Sequence, residues 1–107
     1  MIKVSINKNN NEINHIAISG HSGYAESGYD IVCSAVSSIV TTTINGILSF
    51  DETIKATDDG NTLEISILKH DDITDKLIAN MIELLKELEK QYKENIRTEE
   101  KLIWSFY

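Results

Sequence analysis

Two blocks of apolar alternation, each followed by a long stripe of apolar residues at three-four spacing, constrain this chain more than any other feature. Ile2, Val4 and Ile6 alternate with Lys3, Ser5 and Asn7, and residues 13–19 resume the beat with Ile16 and Ile18 on one face. A period of two is the mark of a half-buried strand. Asn9, Asn10, Asn11 and Glu12 supply a polar turn, so the pair reads as a hairpin that ends at Gly20. A second hairpin follows at residues 52–57 and 62–68, folded around Asp58-Asp59-Gly60-Asn61, with Leu63, Ile65 and Ile67 facing inward.

Between the hairpins the period changes. From Ile31 the apolar residues are Ile31, Val32, Ala35, Val36, Ile39, Val40, Ile44, Ile47 and Leu48, which predicts a helix over residues 30–50 with a broad buried face. Ser34, Ser38, Thr42 and Asn45 keep its remaining side polar but small, so another backbone can come close and a symmetric homodimer is expected. A second helix is predicted from Asp71 or Asp72 to about Ile96, striped by Leu77, Met81, Leu84, Leu85, Leu88 and Tyr92. Residues 98–107 alternate again and read as a last strand. Its Trp104 and Phe106 either fill the core under the second helix or line a groove beside Cys33. The order β-β-α-β-β-α-β predicts a single α+β domain over residues 1–107: one layer of mainly antiparallel sheet with both helices on one face.

Composition narrows the functions open to such a domain. The chain has 107 residues, 41% apolar and 25% charged, the balance of a soluble globular protein. The alternating start at Met1 resembles no signal peptide, and no stretch is expected to span a membrane. The net charge of −7 argues against direct contact with nucleic acid and tolerates a basic protein partner. A single cysteine makes no internal disulfide, which fits a reducing cytoplasm.

That cysteine lies in the segment richest in chemistry, Gly20 through Ser38 (G-H-S-G-Y-A-E-S-G-Y-D-I-V-C-S-A-V-S-S), which also holds three of the five glycines. With Asp30 as N-cap, Cys33 becomes the third residue of the first helix. Unpaired amides and the positive end of the helix dipole point there, and both favour a thiolate. His21, folded back over the helix start, can take the thiol proton. Gly20, Gly23 and Gly28 divide the loop into short steps, suited to a lid over a bound segment or to a plain connection. Ser37, one turn beyond Cys33, either bonds near the thiol or back-bonds to the Cys33 carbonyl. His15 reads as an exposed or core-edge strand residue. His70, beside two aspartates, hints at a metal, but no second ligand cluster accompanies it, and a helix-start histidine is the better reading.

The run closely resembles the signature of the ribosomal-processing cysteine proteases, the Prp family of bacteria. That signature falls without a gap on Gly20, His21, Gly23, Tyr24, Ala25, Gly28, Asp30, Ile31, Val32, Cys33 and Ser37. The resemblance implies a cytoplasmic, homodimeric cysteine endopeptidase that needs no metal or cofactor. Cys33 is then the nucleophile and His21 the base, with Asp30, Ser37 and Gly20 in support. Gly23, Tyr24, Gly28 and Tyr29 belong to the substrate-binding loop. The implied partner is the N-terminal segment of a ribosomal protein, the large-subunit protein numbered twenty-seven, whose extension is removed after paired phenylalanines as the ribosome assembles. Two other classes are weighed beside it: a non-catalytic ribosome-assembly module, and a thiol-transfer protein, which the absence of a second, resolving cysteine disfavours.

Overall fold

The structure, a computed structural model, describes residues 1–20 and 29–102. Strands β1 (Ile2–Asn9) and β2 (Glu12–Ser19) form the first hairpin, and α1 (Tyr29–Leu48) follows. Strands β3 (Ile54–Asp58) and β4 (Thr62–Ile67) form the second, followed by α2 (Asp72–Gln91) and β5 (Ile96–Leu102). The sheet order is β3-β4-β2-β1-β5. All neighbours are antiparallel except β1 and β5, which run parallel with Ile2 opposite Ile96. This is the expected α+β layer, with one parallel pair at its edge.

Local chemistry sets both turns. Asn10 and Asn11 have φ of 52° and 67°, the doubly left-handed geometry of a two-residue type I′ hairpin, which asparagine tolerates better than most residues. In the second hairpin Gly60 takes φ 91°. There the Asp58 carboxylate accepts from the Gly60 amide, and that of Asp59 accepts from the amides of Asn61 and Thr62.

One face of the sheet carries the core. Ile2, Val4 and Ile6 of β1, Ile16 and Ile18 of β2, Ile65 of β4 and Ile96 of β5 are all buried. Val32, Val36, Val40 and Ile47 of α1 and Ile78, Met81, Ile82 and Leu85 of α2 join them in one cluster. On the opposite face Lys3, Lys55, Glu64, Arg97 and Glu99 are exposed, so both helices cover one side only. A pair of buried hydroxyls, Thr53 and Thr74 at 2.6 Å, ties the approach to β3 to the first turn of α2.

Several expectations move. Ile31 is 59% exposed rather than part of the buried stripe, and α1 stops at Leu48 rather than at residue 50. On α2 the burial falls on Thr74, Ile78, Met81, Ile82 and Leu85, and Leu84 turns outward. That helix ends at Gln91, not near Ile96: the Tyr92 amide still reaches the Leu88 carbonyl, but Tyr92 itself has left the helical region. Ile96 is needed in the sheet against Ile2, so β5 opens there, ahead of residue 98. Leu102 ends β5, and Trp104 and Phe106 lie outside the described residues. The expectation that no stretch could span a membrane also needs correction. Ile31–Leu48 is long and apolar enough by length and composition, with a mean hydropathy of 1.7; here its valines and Ile47 are used against the sheet.

Asp71, the N-cap of α2, accepts from the Thr74 amide at 2.8 Å. That backbone bond, then the Thr74 side chain, holds the Asp71 carboxyl below its ordinary range. The folded pKa therefore lies below the unfolded one, so the unfolded chain binds more protons in acid. The contribution is present above the unfolded value and is lost as pH falls through the folded one. Asp71→Asn keeps a good cap without the titration. Urea midpoints measured across the acid limb should fall less steeply for Asp71→Asn than for wild type, and parallel curves would refute the assignment.

Candidate active site

The burial of α1 decides how its first turns face. Val32, Val36 and Val40 are buried at intervals of four, so the helix cannot roll about its axis without pulling them from the sheet. Cys33, next to Val32, is consequently half-buried at the edge of that contact and packs against the core cluster. Side chains on a helix lean toward its N-terminus, so the Cys33 thiol overlies the first turn.

The first helical residue comes two positions earlier than an Asp30 cap implies. Tyr29 is its first residue, which makes Asp30 part of the first turn rather than the cap, and Cys33 the fifth residue rather than the third. Boundaries of this kind shift easily by a residue or two. The reach of the helix end fades after the first turn, so Cys33 stands at the limit of that influence.

Gly20 closes β2 with φ 84°, and a Cβ there would run into the Met1 carbonyl. Only glycine meets both conditions, a left-handed backbone and direct backbone approach. The chain thus leaves the sheet at a fixed point beside the start of β1, immediately before His21. His21, Gly23, Tyr24 and Gly28 lie outside the described residues, as do the side chains of Tyr29 and Asp30.

Beside Ser37, one turn on from Cys33, a cavity of about 160 Å³ opens between α1 and the sheet. Val36, Val40, Thr41 and Ile44 wall it from the helix, and Ile18 and Leu63 from the strands, with Asp58 at its rim. The Ser37 side chain is exposed on this side. Such a cleft suits an apolar side chain of an extended peptide passing Cys33. The sequence marks Ser37 as a site residue, but Ile18, Leu63 and Asp58 only as strand and turn residues. Their convergence depends on β2 pairing with β4, strands from different hairpins, and no local pattern announces that pairing.

Comparison with known proteins bears on this site. The family model for cysteine protease Prp matches residues 1–97. The ribosomal processing cysteine protease Prp of Staphylococcus aureus is 29% identical over 102 residues, which cover 91% of this chain and 96% of that one. The crystal structure of an essential ribosomal processing protease Prp from Staphylococcus aureus, in complex with a substrate peptide, superposes with a TM-score of 0.83 at 27% identity. That match covers 94% of this chain and 100% of the other. A second structure of that protease, with a covalently linked product peptide, gives a TM-score of 0.81 at 28% identity, with the same coverage. With the family model covering residues 1–97, this chain belongs to the Prp family of cysteine proteases.

Proposed function

We propose that this chain is the endopeptidase that trims the N-terminal extension of large-subunit ribosomal protein twenty-seven, with Cys33 as nucleophile and His21 as base. The observation that carries the reading is a half-buried thiol in the opening turns of a sheet-locked helix, one helical turn before Ser37 at the mouth of an apolar cleft. In the reaction His21 takes the thiol proton and the sulfur adds to the scissile carbonyl carbon. Collapse of the tetrahedral adduct breaks the C–N bond, and the His21 proton leaves with the amine. Water, deprotonated by the same imidazole, then releases the acid and restores the thiol. Amides at the start of α1 or in the glycine loop would hold the oxyanion. Asp30 orients His21 and Ser37 supports the thiol. Gly20 fixes where the loop begins, and Gly23, Tyr24, Gly28 and Tyr29 are assigned to substrate binding. A cytoplasmic setting suits a protease whose one nucleophile must stay reduced.

Support for a ribosomal substrate comes from the relatives, whose names specify ribosomal processing, and from the peptide complexes of the Staphylococcus aureus protein. In this reading one apolar side chain of the peptide, of phenylalanine type, would seat in the cleft between α1 and β4. The dimer would use the trough between the helices. It is lined by Ser38, Thr42 and Gly46, with Phe50 68% and Leu84 44% exposed beside it, and a side chain grown from Gly46 meets open space.

Incubation of the extended ribosomal-protein precursor with wild type should yield the trimmed mass, and Cys33→Ser should yield none. Iodoacetamide should label Cys33 rapidly in wild type and at least about tenfold more slowly in His21→Ala. Equal cleavage by Cys33→Ser would remove the mechanism. Thr41→Trp, at an exposed helix position on the cleft, should raise KM about tenfold while kcat and the alkylation rate hold. An unchanged KM would place the substrate elsewhere. Gly46→Arg should shift the sedimentation coefficient from dimer to monomer, and a persisting dimer would exclude the helix trough.

A further inference from the structure

The far end of the sheet from Cys33 holds a cluster that proteolysis does not use. His70, at the start of α2, has its Nδ1 2.8 Å from an Asp75 carboxylate oxygen and 3.4 Å from one of Glu12. The ligand atoms of the three residues lie within 4.8 Å of one another. Glu12 is the second ligand source that the sequence did not display, and the Asn10-Asn11 turn brings it there.

Asn14 determines what His70 offers. The β1–β2 register slips between Asn7 and Lys8, so that Asn7 faces His15 and Lys8 faces Ile13, leaving Asn14 as the bulged residue. Bulges re-aim side chains, and here the Asn14 amide oxygen meets His70 Nε2 at 3.1 Å. The same amide group donates through Nδ2 to the Glu12 carbonyl at 3.4 Å, in keeping with that orientation. An amide oxygen only accepts, so Nε2 carries the ring hydrogen. In the neutral ring Nδ1 is then a bare lone pair aimed at two carboxylates. Three potential ligand groups converge on one point, where either a proton on Nδ1 or a metal ion offsets the charge of the two carboxylates.

We propose that Glu12, His70 and Asp75 form a divalent-cation site of zinc type, with Asn14 holding the imidazole in the ligating tautomer. Imidazole nitrogen and carboxylate oxygen are both zinc ligands, and three such ligands leave the fourth position to water; a carbonyl-type acceptor on the distal ring N–H is the usual outer support of a ligating histidine. Ligands at about 2.05 Å in tetrahedral array stand roughly 3.3 Å apart. The Glu12 spacing already matches, and Asp75, half exposed, has to withdraw by only about half an ångström. The adjoining cavity, about 200 Å³, is lined by Asn11, Ile13, Ile78 and Ala79 besides the three ligands, with no lysine or arginine. Lys69 and Lys76 nearby are paired with Asp51 and Asp72. The positive end of α2 opposes a cation, but Asp71 and Asp72 stand in the same turn to offset it. A bound ion would staple the β1–β2 turn to α2.

The test uses the full chain carrying Cys33→Ser, so that the thiol cannot ligate the metal, stripped with chelator and titrated calorimetrically with zinc at pH 7.5. One ion per chain at micromolar affinity or tighter is expected, together with a rise in Tm. His70→Gln and Glu12→Gln should each weaken binding at least about tenfold, and Asn14→Ala by about ten- to a hundredfold without removing a ligand. Circular dichroism confirms that each variant is folded. No zinc uptake, or uptake indifferent to His70→Gln and Glu12→Gln in folded protein, overturns the site. Because the readout is binding in a chain without the thiol, its failure is independent of any failure of the protease reading.

Discussion

The burial of Val32 against the sheet is the contact on which the candidate active site depends. It sits at 0% exposure in the opening turn of α1, where a helix would otherwise fray, and Val36 and Val40 repeat the anchor one and two turns on. With that stripe fixed, each neighbouring position has a determined direction. Cys33 comes to the margin, half in packing and half out, and Ser37 emerges beside the cleft. A fully buried thiol would be inert and a fully exposed one would have no walls to hold a peptide. The register of one apolar stripe sets the compromise.

The sheet supplies the counter-surface in an economical way. β1 alone joins the two kinds of pairing, antiparallel to β2 and parallel to β5. Its inward residues Val4 and Ile6 therefore have partners on both sides, and Ile2 faces Ile96. The parallel partner arrives by way of α2, and the Thr53–Thr74 hydroxyl pair fixes where that helix begins. Removing one hydroxyl would strand the other in the core, a cost of about 1–3 kcal/mol, so the approach to β3 and the start of α2 are set together.

Alternation and three-four spacing made all seven elements legible, because each period reports directly on a buried face. What they could not report is where two faces compete. Ile31 fits the helical stripe by spacing yet lies outside, since the sheet meets the helix along Val32, Val36 and Val40. Ile78 and Ile82 displaced Leu84 for the same reason on α2. The end of α2 was misread because residues 92–96 carry no glycine or proline to mark it; the pairing of Ile96 with Ile2, a long-range contact, overrides local helical preference. In the candidate site the motif residues were visible as a string, whereas Ile18 and Leu63 were not, because they reach the cleft only through the β2–β4 pairing. His70 was noticed and set aside for want of a companion, and its companions came from a hairpin turn and a bulge.

The two ends of β2 make opposite demands on the backbone, and one strand satisfies both. At its start the type I′ turn and the bulge at Asn14 use local irregularity to aim polar side chains at α2. At its finish Gly20 removes the side chain altogether so that the backbone can pass against the Met1 carbonyl. Between them Ile16 and Ile18 are buried in register with Ile6 and Val4. A slip of one residue would turn both isoleucines to the polar face. The same pairing therefore holds Glu12 and Asn14 opposite His70 and brings Gly20 against the Met1 carbonyl at the far end of the strand.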